Sequence, residues 1–346
     1  MKNPLVSIII QNFNGEKVIE KCLDSVLKTH YKPFEVLVVD SKSDDNSIRL
    51  IREKYGKNKL IRLIALKKDN GYTYGNNVGA KFSKGKYLIF LNPDAIVTPE
   101  WADSLVDFCE KNEELKIGSL QSKILLIDKH TIDTTGDFCT YFISPFNRGF
   151  REDDISNYNE VCEVFSGASS SMLVIREDFL KIGGFDTEFN VLLSDVDYGW
   201  RCRLLGYKNF YINNSLVYHD RSSTYRSKPS YKRSYEEAKS ILYLILKNTS
   251  SAHMITVFPL RVTMILVKIL TSIIKGNYQV AKAYIDAFKN TAINKSLIFA
   301  KRIAFNRDFQ PNHDNLDKIF NQSMKYEKRK IIRLLAKSIR PIVKIF

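Results

Sequence analysis

Residues 87–95, YLIFLNPDA, constrain this chain more than any other stretch. Leu88, Ile89, Phe90 and Leu91 leave no polar face, as expected of a strand covered on both sides in the middle of a parallel sheet. Pro93 lacks the N–H that a continued ladder needs and forces a turn. The carboxylate of Asp94 is thereby left at the carboxyl edge of a sheet, where open α/β folds bind their ligands. Turns also favour aspartate for local hydrogen bonding, so this acid needs company before it implies chemistry.

The company comes from both sides. Residues 5–15, LVSIIIQNFNG, read as a strand running into a polar turn, and Val18, Ile19, Cys22, Leu23, Val26 and Leu27 follow at helical spacing. FEVLVVD (34–40) is a second strand ending on an acid, with a short helix over 48–55 behind it. IRLIAL (61–66) is a third strand, followed by DNGYTYGNNVGA. Strands alternating with helices predict a mostly parallel sheet with right-handed crossovers, which places Asp40 and Asp94 on one edge. No GxGxxG follows the first strand and no GxxxxGK[ST] occurs, which argues against a Rossmann dinucleotide site and a P-loop. The spacing of Gly71, Gly75 and Gly79 fits either close helix packing or backbone approach to a nucleotide. A helix is expected from Trp101, whereas residues 117–165 read only as strand-like pieces and a polar connection, with an acceptor-side flap as one use.

Further on, residues 164–186 read as a small-residue turn, a strand, a short helix and a glycine stop. Ser194 and Asp197 have the spacing of a helix N-cap with an acid at N3. Asp195 is not needed for that cap. It would point out of the helix mouth, where the dipole keeps it ionised and able to accept a proton from a bound hydroxyl. His219 closes a strand over 210–218 and reads equally as an ordinary edge histidine.

At this point the motifs resemble a known family. LVSIIIQNFNG, VVDSKSDDNS, DNGYTYGNN, FLNPD, GGFD, SDVD, WRCRLLGYK and VYH occur in the order and spacing of family 2 glycosyltransferases, over about residues 4–225. NPD in place of the usual DxD is most similar to the rhamnosyltransferase-like branch. The resemblance implies a GT-A fold and an inverting, metal-dependent transfer of a sugar, rhamnose-like or another hexose, from a dTDP- or UDP-sugar. It implies that Asp40 contacts the nucleotide base and that Gln11, Asn14, Asn70, Gly71 and Asn77 cradle the nucleoside. Asn92 and Asp94 belong to the donor side, with Asp94 and His219 as ligands of Mn2+ or Mg2+. Asp195 matches the catalytic aspartate of the family's Glu-Asp pair, Ser194 standing where that glutamate is usual, and Asp197 is the reserve. Arg201 and Arg203 resemble helix arginines facing donor phosphates or acceptor. Two rivals remain. A sugar-phosphate nucleotidyltransferase should carry a glycine-rich basic loop after the first strand, which QNFNGEK is not; a non-catalytic nucleotide-sugar binder is kept open by Ser194.

Charge divides the chain. The net charge is +15, of which residues 1–233 hold +2 and residues 234–346 hold +13. We therefore expect a catalytic domain over 1–230 and a helical, basic, membrane-associating region over 231–346. Residues 252–275 are long enough to cross a bilayer but are interrupted by Arg261 and Lys268. Arg261, Lys268 and Lys275 recur every seventh residue, bounded by Pro259 and Gly276, which suits a helix lying in the interface of an anionic membrane. The tail repeats the pattern, with Arg333, Lys337, Arg340 and Lys344 on one face. A helical cap packed on the catalytic domain is the competing reading. Five scattered cysteines without CxxC spacing, and no leader pattern at the start, lead us to expect a cytoplasmic protein, peripheral on the inner face of the membrane. The acceptor would be a glycan or lipid-linked hydroxyl in cell-surface polysaccharide assembly. Nucleic acid explains the charge but not the front domain.

Overall fold

The computed structural model describes residues 3–153, 155–190, 192–221 and 230–328. The basic face expected of the tail, from Arg333 to Lys344, lies outside the described residues.

The front half alternates as expected: β1 (Val6–Asn12), α1 (Ile19–Leu27), β2 (Phe34–Asp40), α2 (Ser47–Tyr55), β3 (Ile61–Ala65), α3 (Tyr72–Phe82) and β4 (Tyr87–Leu91). Short β5 (Ala95–Val97) and α4 (Trp101–Lys111) follow. Then come β6 (Ile117–Leu126), β7 (Ile132–Thr134), the hairpin of β8 (Asp137–Cys139) and β9 (Pro145–Asn147), and β10 (Cys162–Val164). The remaining strands are β11 (Ser171–Ile175) and β12 (Lys208–His219), between which lie α5 (Arg176–Lys181) and α6 (Ser194–Leu204). Helices α7 (Tyr231–Asn248), α8 (Ser251–Ile274), α9 (Tyr278–Ile293) and α10 (Lys295–Phe309) complete the order.

The main sheet runs β10-β12-β6-β11-β4-β1-β2-β3, with β5 against β12 and β7 against β6. Strand β4 is buried at all five positions, but its neighbours differ from a purely parallel setting: β1 is parallel and β11 antiparallel. Its side chains alternate between two cores. Tyr87, Ile89 and Leu91 meet α1 and α4, while Leu88 and Phe90 meet Phe179, Phe185 and Tyr198 on the other face. At Gly79 an added Cβ would come within 2.4 Å of Ile9 Cγ2, so this glycine serves the close packing of α3 on β1.

Strand β6 is central, although residues 117–165 carried no clear signal. Its buried Ser119, Gln121 and Ser122 break any apolar pattern and are satisfied by partners far away in the chain.

The rear helices do not form a detached unit. Leu244 and Ile245 of α7 share a core with Phe165, Trp200 and Tyr211. Beneath it, Lys247 donates to Asp186 at 2.6 Å and to Asp197 at 2.8 Å, and Lys301 of α10 reaches Asp186 at 2.5 Å. The charged stripe on α8 is divided: Arg261 points inward, while Lys268 and Lys275 stay exposed. Arg261 is buried and donates to Phe142 O at 2.7 Å and to Ser144 Oγ, while Lys268 donates to Tyr284 Oη at 3.0 Å. Pro259 lies inside α8 and does not bound it.

Candidate active site

Parallel pairing of β1 and β2 puts Asn12 opposite Asp40 at the carboxyl edge. Asn12 Nδ2 donates to Asp40 Oδ2 at 2.7 Å, and Ser43 donates to both Asp40 oxygens through its N–H (2.9 Å) and hydroxyl (2.7 Å). Asp40 is fully buried, so its carboxylate braces the loop that follows β2. Gln11 donates to Ser41 Oγ at 2.9 Å, and Asn14, at a φ of 52°, accepts from Asp44 N at 2.9 Å. The two loops are thereby zipped together. Asn70 is exposed on the approach to α3, and Gly71 has a φ of 86°, a conformation in which a Cβ would also strike Asn190.

Two expected donor contacts are occupied inside the protein. Asn77 donates to Phe185 O at 2.7 Å and accepts from Phe185 N at 2.9 Å, pinning α3 to the turn after α5. Arg201 is buried, and its guanidinium donates to Asp197 (2.9 Å), Ile182 O (2.8 Å) and Gly184 O (2.6 Å). Arg203 is likewise turned inward, onto Glu163 and the carbonyls of Val164 and Phe165. Asp197, the reserve base, is fully buried between Arg201, Lys247 and Asn248.

Asp94 and His219 meet. Pairing of β5 with β12 sets His219 opposite Ala95, and His219 Nε2 lies 3.0 Å from Asp94 Oδ1. On its other side, Nδ1 lies 2.8 Å from Asp133 Oδ2, and Arg221 forms an ion pair with the second Asp133 oxygen at 2.7 Å. Burial works against a charged ring, yet the hydrogen bonds to Asp133 and Asp94 outweigh it and push the imidazole up to about 9. Nothing in the sequence marked Asp133, which sits in the stretch without a pattern.

This pair fits a divalent cation. A carboxylate oxygen and an imidazole nitrogen converge, and the far nitrogen of the ring is held by a carboxylate, the usual orienting contact behind a metal-bound histidine. Among the described residues no cluster of three or more His, Cys, Asp or Glu side chains could hold a metal ion. A cation here therefore needs further oxygen ligands from phosphate and water, as Mg2+ and Mn2+ readily accept.

Asp195 lies at the mouth of α6, as expected, but the cap differs. Leu193, with a φ of 65°, precedes the helix, and Ser194 is its first residue and not its N-cap. Asp195 Oδ1 accepts from Val196 N at 2.9 Å, and Oδ2 accepts from Ser169 N at 3.0 Å and Ser169 Oγ at 3.2 Å. Burial, the largest influence, raises this carboxyl above its ordinary range, while the donors of Ser169 and Val196 pull the other way.

The two acids open onto one place. The Tyr72 hydroxyl is 3.1 Å from Asn92 Oδ1 and 3.2 Å from Ser169 O. Asn92 also reaches His219 Nε2 at 3.3 Å, and its N–H donates to Ser170 O at 3.2 Å. The chain of contacts thus runs Asp94, His219, Asn92, Tyr72, Ser169, Asp195. Burial raises the Tyr72 hydroxyl, and the charges of Asp195 and Asp94, both near it, add to that effect. Tyr72 lies within DNGYTYGNN and Ser169 within SGASSS; only the fold joins them.

Residues 7–164 match the family model described as Glycosyl transferase family 2. Over 235 residues the chain is 29% identical to the O-antigen biosynthesis protein RfbC of Myxococcus xanthus, covering 65% of this chain and 18% of that protein. An uncharacterized glycosyltransferase of Haemophilus influenzae is 25% identical over 300 residues, 85% of this chain and 93% of its own length. The chain spans less than half the length of two of the curated relatives it matches. In fold it is similar to GalNAc-T7, solved with UDP, GalNAc and Mn2+, at a TM-score of 0.55 and 17% identity over 70% of this chain and 51% of that one. On this sheet topology and that likeness the chain has the GT-A fold, and over residues 7–164 it is similar to family 2 glycosyltransferases.

Proposed function

We propose that this chain transfers a sugar, rhamnose-like or another hexose, from a dTDP- or UDP-sugar to a hydroxyl of a glycan or lipid-linked acceptor, with inversion, in cell-surface polysaccharide assembly. The convergence of Asp94 and Asp195 on Tyr72, Asn92 and Ser169 carries this reading. The name of the Myxococcus relative supports the polysaccharide setting. Residues 1–230 do the chemistry, and residues 231–346 hold the protein peripherally on the cytoplasmic face of an anionic membrane.

Asp195 is the base. Its donors fix the carboxylate, and the α6 terminus keeps it ionised despite burial. As the acceptor oxygen bonds to the anomeric carbon, the bond from that carbon to the diphosphate breaks, and the hydroxyl proton passes to Asp195. One displacement of this kind inverts the anomeric centre. Asp94 and His219 would hold Mn2+ or Mg2+, which offsets the negative charge that builds on the departing diphosphate. Tyr72 and Asn92 border the sugar between the two acids and orient it.

The test is release of nucleoside diphosphate from a panel of UDP-, dTDP- and GDP-sugars, with and without Mn2+. The reading expects turnover with at least one uridine or thymidine donor. Binding of a donor with no turnover in the presence of any acceptor extract would instead make the protein a binder.

A further inference from the structure

Helix α8 is 24 residues long, about 36 Å at about 1.5 Å per residue. Among the described residues it is the one helix long and apolar enough to cross a membrane, yet most of its surface is uncovered. Its inner stripe, His253, Val257, Arg261 and Ile265, is buried. Its outer stripe is apolar and exposed: Ile255 (72%), Leu266 (54%), Val267 (53%), Leu270 (59%) and Ile274 (83%). The helix contains no acid, and its two charges are taken up by Phe142, Ser144 and Tyr284. Tyr141 and Phe142, between β8 and β9, are also exposed, and they pack against the inner stripe, with the Tyr141 ring stacked on His253 at 4.2 Å. Thr256 and Thr263 are exposed on the same side, but an apolar face of this length is still larger than a water-facing surface normally presents.

What covers it follows from charge. Residues 251–300 hold six Lys or Arg and one acid, Asp286. Lys275, just after α8, is exposed, and so are Lys282 and Lys289 of α9. A second copy would bring like charges together, whereas an anionic bilayer takes both the apolar stripe and these lysines. The buried inner stripe rules out a span, because Arg261 and its partners would have to part.

We propose that the outer face of α8 lies flat in the interface of an anionic bilayer. This deepens the peripheral placement proposed above and stands apart from the transfer chemistry. It also sets where an acceptor arrives. Asp137 begins the β8–β9 hairpin, close enough to Asp195 for their charges to interact, and Tyr141 is four residues on. The hairpin tip is therefore within about 14 Å of Asp137, at about 3.5 Å per residue. A hydroxyl carried on a lipid in that bilayer is brought to the base side of the cleft.

The experiment is sedimentation of the full chain with phosphatidylcholine vesicles containing or lacking phosphatidylglycerol. Wild type should sediment with the anionic vesicles, and the exposed double variant Val267→Glu/Leu270→Glu should lose partitioning by about tenfold or more, because two apolar contacts become charges. Its thermal midpoint and its release of nucleoside diphosphate from a soluble donor should match wild type. Unchanged sedimentation of the double variant, or no sedimentation of wild type, overturns the proposal. So does a wild-type dimer in light scattering that the same substitutions dissolve, since the face would then belong to a second copy. Loss of vesicle binding with donor turnover intact leaves the transfer reading untouched, and loss of turnover with vesicle binding intact does the reverse.

Discussion

Two acids in the SDVD motif, Asp195 and Asp197, stand two residues apart and have opposite environments. Asp195 looks out of the α6 mouth into the cleft, held only by the N–H groups of Ser169 and Val196 and one hydroxyl. Asp197 looks into the seam below, closed in by Arg201, Lys247 and Asn248. Both lie near other charged groups. The difference is in what each can still accept. The cleft carboxylate keeps a face for a substrate hydroxyl, while the seam carboxylate has every oxygen engaged by the protein and joins the sheet to α7. Neighbouring acids are therefore divided into chemistry and architecture by their remaining hydrogen-bonding capacity and not by charge alone.

The sharpest way to break this contrast is to neutralise each acid. Asp195→Asn should lower kcat by about 10³-fold, the range of a lost general base, and leave the thermal midpoint unchanged. Asp197→Ala should do the reverse, destabilising by about 3–5 kcal/mol because Lys247 and Arg201 are left buried without their carboxylate. Rates and denaturant unfolding on the same preparations check both. If Asp195→Asn unfolds and Asp197→Ala merely slows turnover, the two roles have been exchanged.

Asp94→Ala should reduce transfer by about 10²-fold or more and abolish heat of Mn2+ binding in the presence of UDP, with the fold intact. Calorimetry showing wild-type affinity would remove Asp94 from the cation site.

Acid pH sharpens the seam. Burial opposes ionisation of Asp186, but Lys247 and Lys301 overcome it and hold its carboxyl below the ordinary range. The unfolded chain therefore binds this proton first as pH falls, so the stability Asp186 contributes is present at neutral pH and is lost progressively below about pH 4. Asp186→Asn should flatten that part of the stability profile, read by chemical denaturation between pH 3 and 7. An unchanged slope would place the acid sensitivity elsewhere.

The smallest effect is expected at Tyr72→Phe. One hydroxyl bordering the sugar is lost, worth about 0.5–1.5 kcal/mol, so kcat/KM should fall by about tenfold or less.

How far the sequence reaches follows the same division. The apolar runs of β1, β2 and β4 declare themselves, because a strand covered on both faces has no polar position to hide it. Asp94 and Asp195 were legible from the turn after Pro93 and the start of a helix. Strand β6 was not, since its buried Ser119, Gln121 and Ser122 resemble a loop until their distant partners are known. Arg201 illustrates the same limit. Its residue type suggests a phosphate, but its place is set by the carbonyls of Ile182 and Gly184, which no local spacing reveals. On α8 the seven-residue spacing correctly grouped Arg261 and Lys268 on one side. That Arg261 is buried while Lys268 stays exposed depended on Phe142 and Ser144, which take up the guanidinium.

The central claim is that Asp94 and Asp195 flank a single hexose. A crystal structure with Mn2+ and a non-hydrolysable nucleotide sugar measures it directly. The account predicts the cation on Asp94 and His219, with the sugar ring lying between Tyr72 and the Asp195 carboxylate. A donor bound with its sugar directed away from Asp195, or a cation held by other residues, would contradict it.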